Sequence, residues 1–266
     1  MTDPPPDVVA RLRAAGCVFA EDEARLLAAA APTAAALAEM VDQRAAGTPL
    51  EQVVGWADFC GLRIAVEPGV FVPRRRSEFL VGQAVALGRQ LGRARTVVVD
   101  LCCGSGALGA AVAAALAGVE LHAVDVDPAA VACARRNVAA FGGRVHEGDL
   151  DEPLPAELRR HVDLLLANVP YVPTDEVGLL PAEARLYEPR AALDGGVDGL
   201  DVLRRVAAAA PRWLAPGGHL LVETSDRQAA RAVEIVGRAE LVARTASSDE
   251  LDATVVVGTR PAHRAG

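Results

Sequence analysis

The sequence predicts an α/β protein: a mostly parallel sheet with helices on both faces, preceded by a small helical unit and a short hairpin. Three observations carry that expectation. From Thr96 onward, short and nearly continuous apolar runs alternate with helical stretches, the pattern of strands buried on both faces. Asp7 to about Gly55 repeats apolar residues at helical spacing, without a strand-like run. Near the end, the runs Ala239–Arg244 and Ala253–Gly258 are joined by a loop alone, too short for a parallel crossover, so this pair should be antiparallel.

Taken in order, Pro4-Pro5-Pro6 should form an extended leader. Met1 to Asp7 lacks the basic-then-apolar order of a signal peptide. The helical unit, residues 1–55, holds about four helices by its periodicity. Thr48-Pro49-Leu50-Glu51 reads as a capping box with proline at the first helical position. Gly47 and Gly55 fit the ends of adjacent short helices. Residues 56–76 form a linker, in which Phe59-Cys60-Gly61-Leu62 and Glu67-Pro68-Gly69 are turn signals between short β-type runs. Residues 77–266 form the α/β domain, with a first helix from Ser77-Glu78 to about Leu91. Strands are expected at Thr96–Leu101, Glu120–Asp125, Arg144–Glu147, Asp163–Ala167 and His219–Glu223, and helices at Ala107–Ala117, Pro128–Ala140, Leu200–Leu214 and Gln228–Val236.

Composition narrows the function. The 266 residues are 52% hydrophobic and 23% charged, ample for a core and unlike a disordered chain. Aromatics supply only 3%, so Ala, Val and Leu must fill that core. A net charge of -8 predicts no phosphate-gripping face, and no nucleic-acid partner is expected. Apolar runs such as Ala107 to Val119 are broken by glycine and too short to span a membrane. Cys17, Cys60, Cys102, Cys103 and Cys133 make an odd, scattered set with no C-x-x-C pair, which argues against a zinc site or a disulfide framework. A reduced, cytoplasmic protein follows. His122, His146, His161, His219 and His263 are scattered too, so neither a metal site nor a catalytic triad is expected.

The first chemical signal is Asp100-Leu-Cys102-Cys103-Gly104-Ser105-Gly106, which closes the first long strand and opens a helix. Ligands of open α/β sheets bind at such strand ends, and glycines let backbone approach them closely. Asp125 ends the next strand, where its carboxylate can accept from both hydroxyls of a ribose. Asp149 and Leu150 follow the third strand and can offer an oxygen and an N–H to an adenine edge. Gly104-Ser-Gly106-Ala-Leu-Gly109 also satisfies the dinucleotide fingerprint, with Asp125 near the required spacing. Asp100, four positions before the first glycine, instead fits a methyl-transfer cofactor: it can anchor the loop and reach the amino acid end of that cofactor.

Asn168-Val169-Pro170-Tyr171 stands directly after the fourth strand, at the same sheet edge. An amide nitrogen is a poor nucleophile because its lone pair is delocalised into the carbonyl. A catalyst must hold it in line with an electrophilic methyl and accept its hydrogens as positive charge develops. The Asn168 side-chain oxygen can take one N–H and the Val169 carbonyl the other, so catalysis comes from positioning and fixed dipoles. Pro170 fixes the loop and holds Val169 extended. Tyr171 offers a flat face to a planar group.

These residues resemble the release factor glutamine methyltransferases, whose signature is Asn-Pro-Pro-Tyr. The likeness covers nearly everything from Thr48 onward. It includes Thr48–Gly55, Phe59–Leu62, Gly69-Val-Phe-Val-Pro-Arg74, the segment Glu188–Leu200, and Ala215–Glu223. The resemblance implies a class I S-adenosylmethionine-dependent methyltransferase fold, Rossmann-like, with seven strands and the last one antiparallel. It implies S-adenosylmethionine as cofactor, bound by Asp100, Cys102, Cys103, Gly104, Ser105, Gly106, Asp125, Asp149, Leu150 and Asn168, and S-adenosylhomocysteine as product. It also implies a class I peptide chain release factor as partner, recognised partly by the helical unit and methylated on its Gly-Gly-Gln glutamine. Asn168, Val169, Pro170 and Tyr171 would then be catalytic. Phe71 and Tyr171 would pack on the glutamine, and Asn168 would hold its amide. The chain departs from the family at two places. Val169 replaces the first signature proline, and Pro73-Arg-Arg-Arg-Ser-Glu78 stands where the family continues Pro-Arg-Pro-Glu-Thr-Glu. The added cations read either as a solvated turn or as contact with a more acidic substrate. Two other functions stay open: amino methylation of a nucleic-acid base, which similar signatures serve, and non-catalytic cofactor binding.

Overall fold

The computed structural model describes residues 5–262. Four helices, α1 (Pro6–Ala14), α2 (Ala20–Ala30), α3 (Ala34–Ala45) and α4 (Leu50–Val54), share a core of Val8, Leu12, Ala24, Leu27 and Val41. Pro5 and Pro6 are no leader, because Pro5 is the N-cap and Pro6 the first residue of α1. The expected capping box at Thr48 is also absent. Pro49 itself takes the N-cap position of α4, which moves the helix start one residue on, and no side chain caps it. Thr48 instead presents its carbonyl to Arg44 Nη1 at 3.0 Å.

A hairpin of β1 (Trp56–Phe59) and β2 (Leu62–Ala65) follows, then a 3-10 turn at Arg75–Ser77 and helix α5 (Glu78–Leu91). Beyond α5 the strands are β3 (Thr96–Leu101), β4 (Val119–Asp125), β5 (Arg144–Glu147), β6 (Val162–Ala167), β7 (Leu214–Thr224), β8 (Val242–Ser248) and β9 (Ala253–Thr259). They form one seven-stranded sheet in the order β5-β4-β3-β6-β7-β9-β8. The β5-β4-β3-β6-β7 portion is parallel, and β9 runs antiparallel to both of its neighbours. Strand β8 begins later than the sequence suggests, since Glu240 takes a left-handed φ of 60° after the preceding helix and Val242 is the first paired residue.

Alternation along the central strands divides the core. Val97, Val99 and Leu101 of β3 pack with α9 (Asp201–Trp213) and α10 (Asp226–Arg238). Val98, with Leu164 and Leu166 of β6, packs with α5 and α6 (Ala107–Ala115). Helix α7 (Pro128–Val138) lies beyond α6, and a short α8 (Ala182–Tyr187) interrupts the long excursion between β6 and α9. Two of the histidines taken as scattered meet across β4 and β5: His122 and His146 stack at 5.2 Å between ring centroids. His263 lies outside the described residues. Among the described residues, no group of three or more His, Cys, Asp or Glu side chains is arranged to hold a metal. No helix there is long and apolar enough to cross a membrane.

After β3 the chain builds outward through β4 and β5, and it returns to the other side of β3 with β6. The reversal of strand order therefore falls at the carboxyl ends of β3 and β6, where such sheets bind ligands. The exit of β6 is pinned by the segment before α9. Val172 N donates to Leu193 O at 3.1 Å, and Gly195 N returns the bond to Val172 O at 2.8 Å. Side chains have no room there: a Cβ on Gly195 would meet Pro170 O at 2.6 Å, and one on Gly199, at φ +73°, would strike Tyr171 O. Gly217 has a similar φ of +78° but open space around it. Gly199→Ala should therefore cost about 2–3 kcal/mol in urea unfolding, against about 1 kcal/mol for Gly217→Ala, which carries the backbone strain alone. Equal losses would mean that the close approach at Tyr171 has no energetic weight.

Candidate active site

A cavity of about 1370 Å³ opens at the carboxyl ends of β3 to β6. One lobe is walled by Cys102, Cys103, Gly104 and Ser105 after β3, Asp125 at the end of β4, and Asp149 and Leu150 after β5. The other is walled by Asn168, Val169, Pro170 and Tyr171 after β6, with Phe71 facing them from the linker. Eleven of the thirteen positions expected from the loops after β3 to β6 thus meet in one place, despite spanning residues 100 to 171. The other two, Asp100 and Gly106, do not line it. Gly106 sits at the start of α6, with Ala134 and Val138 of α7 against it.

Asp100 is fully buried beneath the glycine loop. Its Oδ2 accepts from Gly109 N at 2.9 Å, and its Oδ1 has no partner. Burial pushes its carboxyl up to about 7, with the Gly109 bond opposing and Asp125 adding a smaller push. Asp125 is better served. Its Oδ2 accepts from Gly104 N at 2.8 Å and its Oδ1 from Asp127 N at 3.0 Å, so it ties the glycine loop to the end of β4. Burial still raises it above the usual carboxylate range, against those backbone bonds. The thiols of Cys102 and Cys103 are raised by burial and by the nearby carboxylates, which keeps them protonated and out of nucleophilic chemistry. Asp149 pairs with Arg205 of α9 at 2.7 Å, a cavity residue that no local sequence signal marks.

Asn168–Tyr171 and Phe71 include no carboxylate or imidazole. Asn168 Nδ2 donates to Ser77 Oγ at 3.3 Å, which leaves Oδ1 to accept. Val169 is buried, and among the described residues no hydrogen bond reaches its carbonyl. Tyr171 accepts at its hydroxyl from Arg76 Nη2. Burial, and then the Glu223 carboxylate, raise its phenol above the ordinary value while Arg76 opposes them, so it stays protonated. Arg74 lies over the Phe71 ring at 4.9 Å and holds both oxygens of Glu188 at 2.7 Å. Arg76 Nε donates to Glu223 Oε1 at 2.9 Å. The arginine cluster divides: Arg74 and Arg76 are each paired with a buried carboxylate, Glu188 and Glu223, whereas Arg75 is exposed, as a solvated turn would have it. Ser77, Arg76, Glu188 and Glu223 were not singled out from the sequence as site residues, because each acts through a partner more than 90 positions away.

Residues 61–196 match the family model of the methyltransferase small domain. The chain is 41% identical over 206 residues to a release factor glutamine methyltransferase of Geobacter sulfurreducens, which covers 77% of this chain and 70% of that one. It is 37% identical over 195 residues to a 4-amino-L-phenylalanine/4-methylamino-L-phenylalanine methyltransferase of Streptomyces pristinaespiralis, covering 71% and 65% respectively. Among solved structures, a methyltransferase of Pyrococcus furiosus superposes with a TM-score of 0.53 at 15% identity, over 76% of this chain and 90% of that one, and shares the fold.

The buried acid gives a pH signature. An acid raised from 3.8 to about 7 by burial favours folding fully below its unfolded value, and that contribution is lost as pH climbs through about 7. Asp100→Asn keeps an oxygen for Gly109 N and removes the titration. Its thermal midpoint relative to the unliganded native protein should therefore rise from pH 4 to about pH 7 and level off above it. A difference independent of pH would mean that Asp100 does not carry this penalty.

Proposed function

Because the chain belongs to the release factor glutamine methyltransferase family, we propose that it moves a methyl group from S-adenosylmethionine to the side-chain amide nitrogen of a protein glutamine, that of the Gly-Gly-Gln loop in a class I translation release factor. One observation carries the reading. The Asn168 amide gives its hydrogen to Ser77, which leaves its oxygen to accept, and Asn168 and Val169 both line the cavity.

The residues of the first lobe fit the cofactor. Gly104 has no side chain and a left-handed φ of 55°, and a Cβ there would stand 3.9 Å from Phe71 Cβ in the cavity wall. The buried and unpartnered Oδ1 of Asp100 supplies negative charge beneath the loop, suited to a cationic amino acid end. Asp125 stands at the strand end for ribose hydroxyls, and Val126, 61% exposed in the cavity wall, offers an apolar face to a base. Asp149 and Leu150 complete that wall. When bound, S-adenosylmethionine supplies an electrophilic methyl on a sulfonium.

The chain's own residues do the rest. Phe71 and Tyr171 hold the planar amide between them and exclude water. Asn168 Oδ1 accepts one amide hydrogen and the Val169 carbonyl the other, which orients the nitrogen lone pair and stabilises the positive charge that develops on it. Proton release follows to solvent, so no ionisable base is needed. A second acceptor class, an amino group on a small aromatic amino acid, is favoured by the likeness to the Streptomyces pristinaespiralis enzyme, and the same two acceptors would serve it.

Incubation with labelled S-adenosylmethionine should label a release factor and fail to label one whose Gly-Gly-Gln glutamine is substituted. Label that ignores the substitution, or that appears on 4-amino-L-phenylalanine instead, would overturn the substrate assignment. Asn168→Ala should lower turnover by roughly 10²–10³-fold, the loss typical of removing one preorganised polar group, and unchanged turnover would place the chemistry elsewhere. Asp125→Ala should weaken S-adenosylhomocysteine binding by about 1.5–3 kcal/mol in calorimetry, and native affinity would remove Asp125 from the cofactor site.

A further inference from the structure

Asn168 and Tyr171 stand at the two ends of a four-residue loop, and both are held from the same turn. Arg75–Ser77 carries Ser77, which accepts from Asn168, and Arg76, which donates to the Tyr171 hydroxyl. Arg76 also donates to Glu223, which is 2% exposed on β7. Strand β7 pairs with β6, Val222 lying opposite Ala167. The guanidinium therefore ties the far end of the loop to the strand beside the one that launches it. Within the loop, Pro170 has its φ locked by its ring and restricts the residue before it. Val169 has no such lock on its own φ. Where the family has a proline and an acid, this chain has Val169 and Arg76. One departure removes a restraint, and the other adds a tether across the same four residues.

We propose that Arg76 is a positioning residue whose link from Glu223 to the Tyr171 hydroxyl supplies the stiffness that Val169 withholds, so that the two departures are coupled. Its kinetic arm rests on the glutamine-methylation reading; its structural arm does not. The charge of Arg76 is already matched by the buried Glu223, so pulling it away toward an anionic substrate group would leave that carboxylate unpaired. A guanidinium suits the tether because separate nitrogens on one rigid plane reach two partners at once, and an ammonium on a flexible stem does not.

Arg76→Ala would strand Glu223 and risk misfolding, so Arg76→Lys is the working variant: it keeps a charge near Glu223 and loses the fork. Tyr171→Phe removes the hydroxyl alone. Each should lower kcat on the release factor by about ten-fold through misplacement of the loop, with the cofactor KM moved much less. The double variant should be no slower than either single one. Adding Val169→Pro to either should return about two- to five-fold of the lost kcat, the worth of one backbone restraint. Without any substrate, hydrogen exchange at the amides of residues 168–172 should quicken in Arg76→Lys and slow again with Val169→Pro. A native protein that methylates no release factor glutamine would defeat the function reading while the exchange arm still reports. The coupling is overturned by losses from Arg76→Lys and Tyr171→Phe that multiply, or by a Val169→Pro that neither slows exchange nor restores turnover.

Discussion

The constraint on which the site depends is the exit of β6. All six residues of that strand are buried, held between β3 and β7 by parallel pairing, so the direction in which the backbone leaves the sheet is set by the core. The loop that follows cannot drift. Its carbonyls at Pro170 and Tyr171 lie too close to Gly195 and Gly199 for any side chain to intervene, and Gln228 Nε2 donates to Tyr171 O at 3.0 Å. A mechanism built on neutral acceptors requires this rigidity, because two uncharged oxygens contribute to catalysis only if they already point where positive charge will appear.

Charge around the site is organised to the same end. Glu188 and Glu223 are almost fully buried, and each is matched by an arginine from the linker. Buried pairs of this kind add little net stability, but losing either partner is costly, so they hold geometry. Glu188 also accepts from Val72 N at 3.1 Å and thereby fixes the strand-like stretch that presents Phe71. Asp100 differs from them in having no cation partner among the described residues. Its second oxygen is buried and unpartnered, which places an uncompensated acid beneath the loop proposed to take a cationic cofactor.

How much of this was legible in the sequence follows from the range of the interactions involved. Strand β3 was readable to the residue, since an apolar run bounded by turn residues marks a buried strand locally. The cofactor and acceptor loops were readable because each is a short motif at a strand end, and the topology of parallel sheets brings strand ends together. Thr48 misled because serviceable cap chemistry lay beside a proline that took the cap position itself. The arginines at 74 and 76 misled for the opposite reason. Locally they make a basic turn, and only the fold brings Glu188 and Glu223 to them, across 114 and 147 residues. Arg205 was invisible on the same ground, lying on one helix face with nothing in its neighbourhood to mark a cavity.

The helical unit is continuous with the acceptor wall. Gln52 of α4 donates to Val70 O at 3.2 Å and to Tyr187 O at 3.3 Å, so one side chain joins the unit both to the linker and to α8. Tyr187 returns a bond from its hydroxyl to Ala46 O, and Arg44, already paired with the buried Glu23, reaches Glu183 at 3.6 Å. The residue after Tyr187 is Glu188, which holds Arg74 and the backbone just after Phe71. Exposed Leu179 and Leu186 flank this same stretch, and Val18 and Phe19 lie exposed on the unit itself. A helical unit built only as a handle would need none of these bonds. Their presence makes it part of the frame that shapes the acceptor lobe.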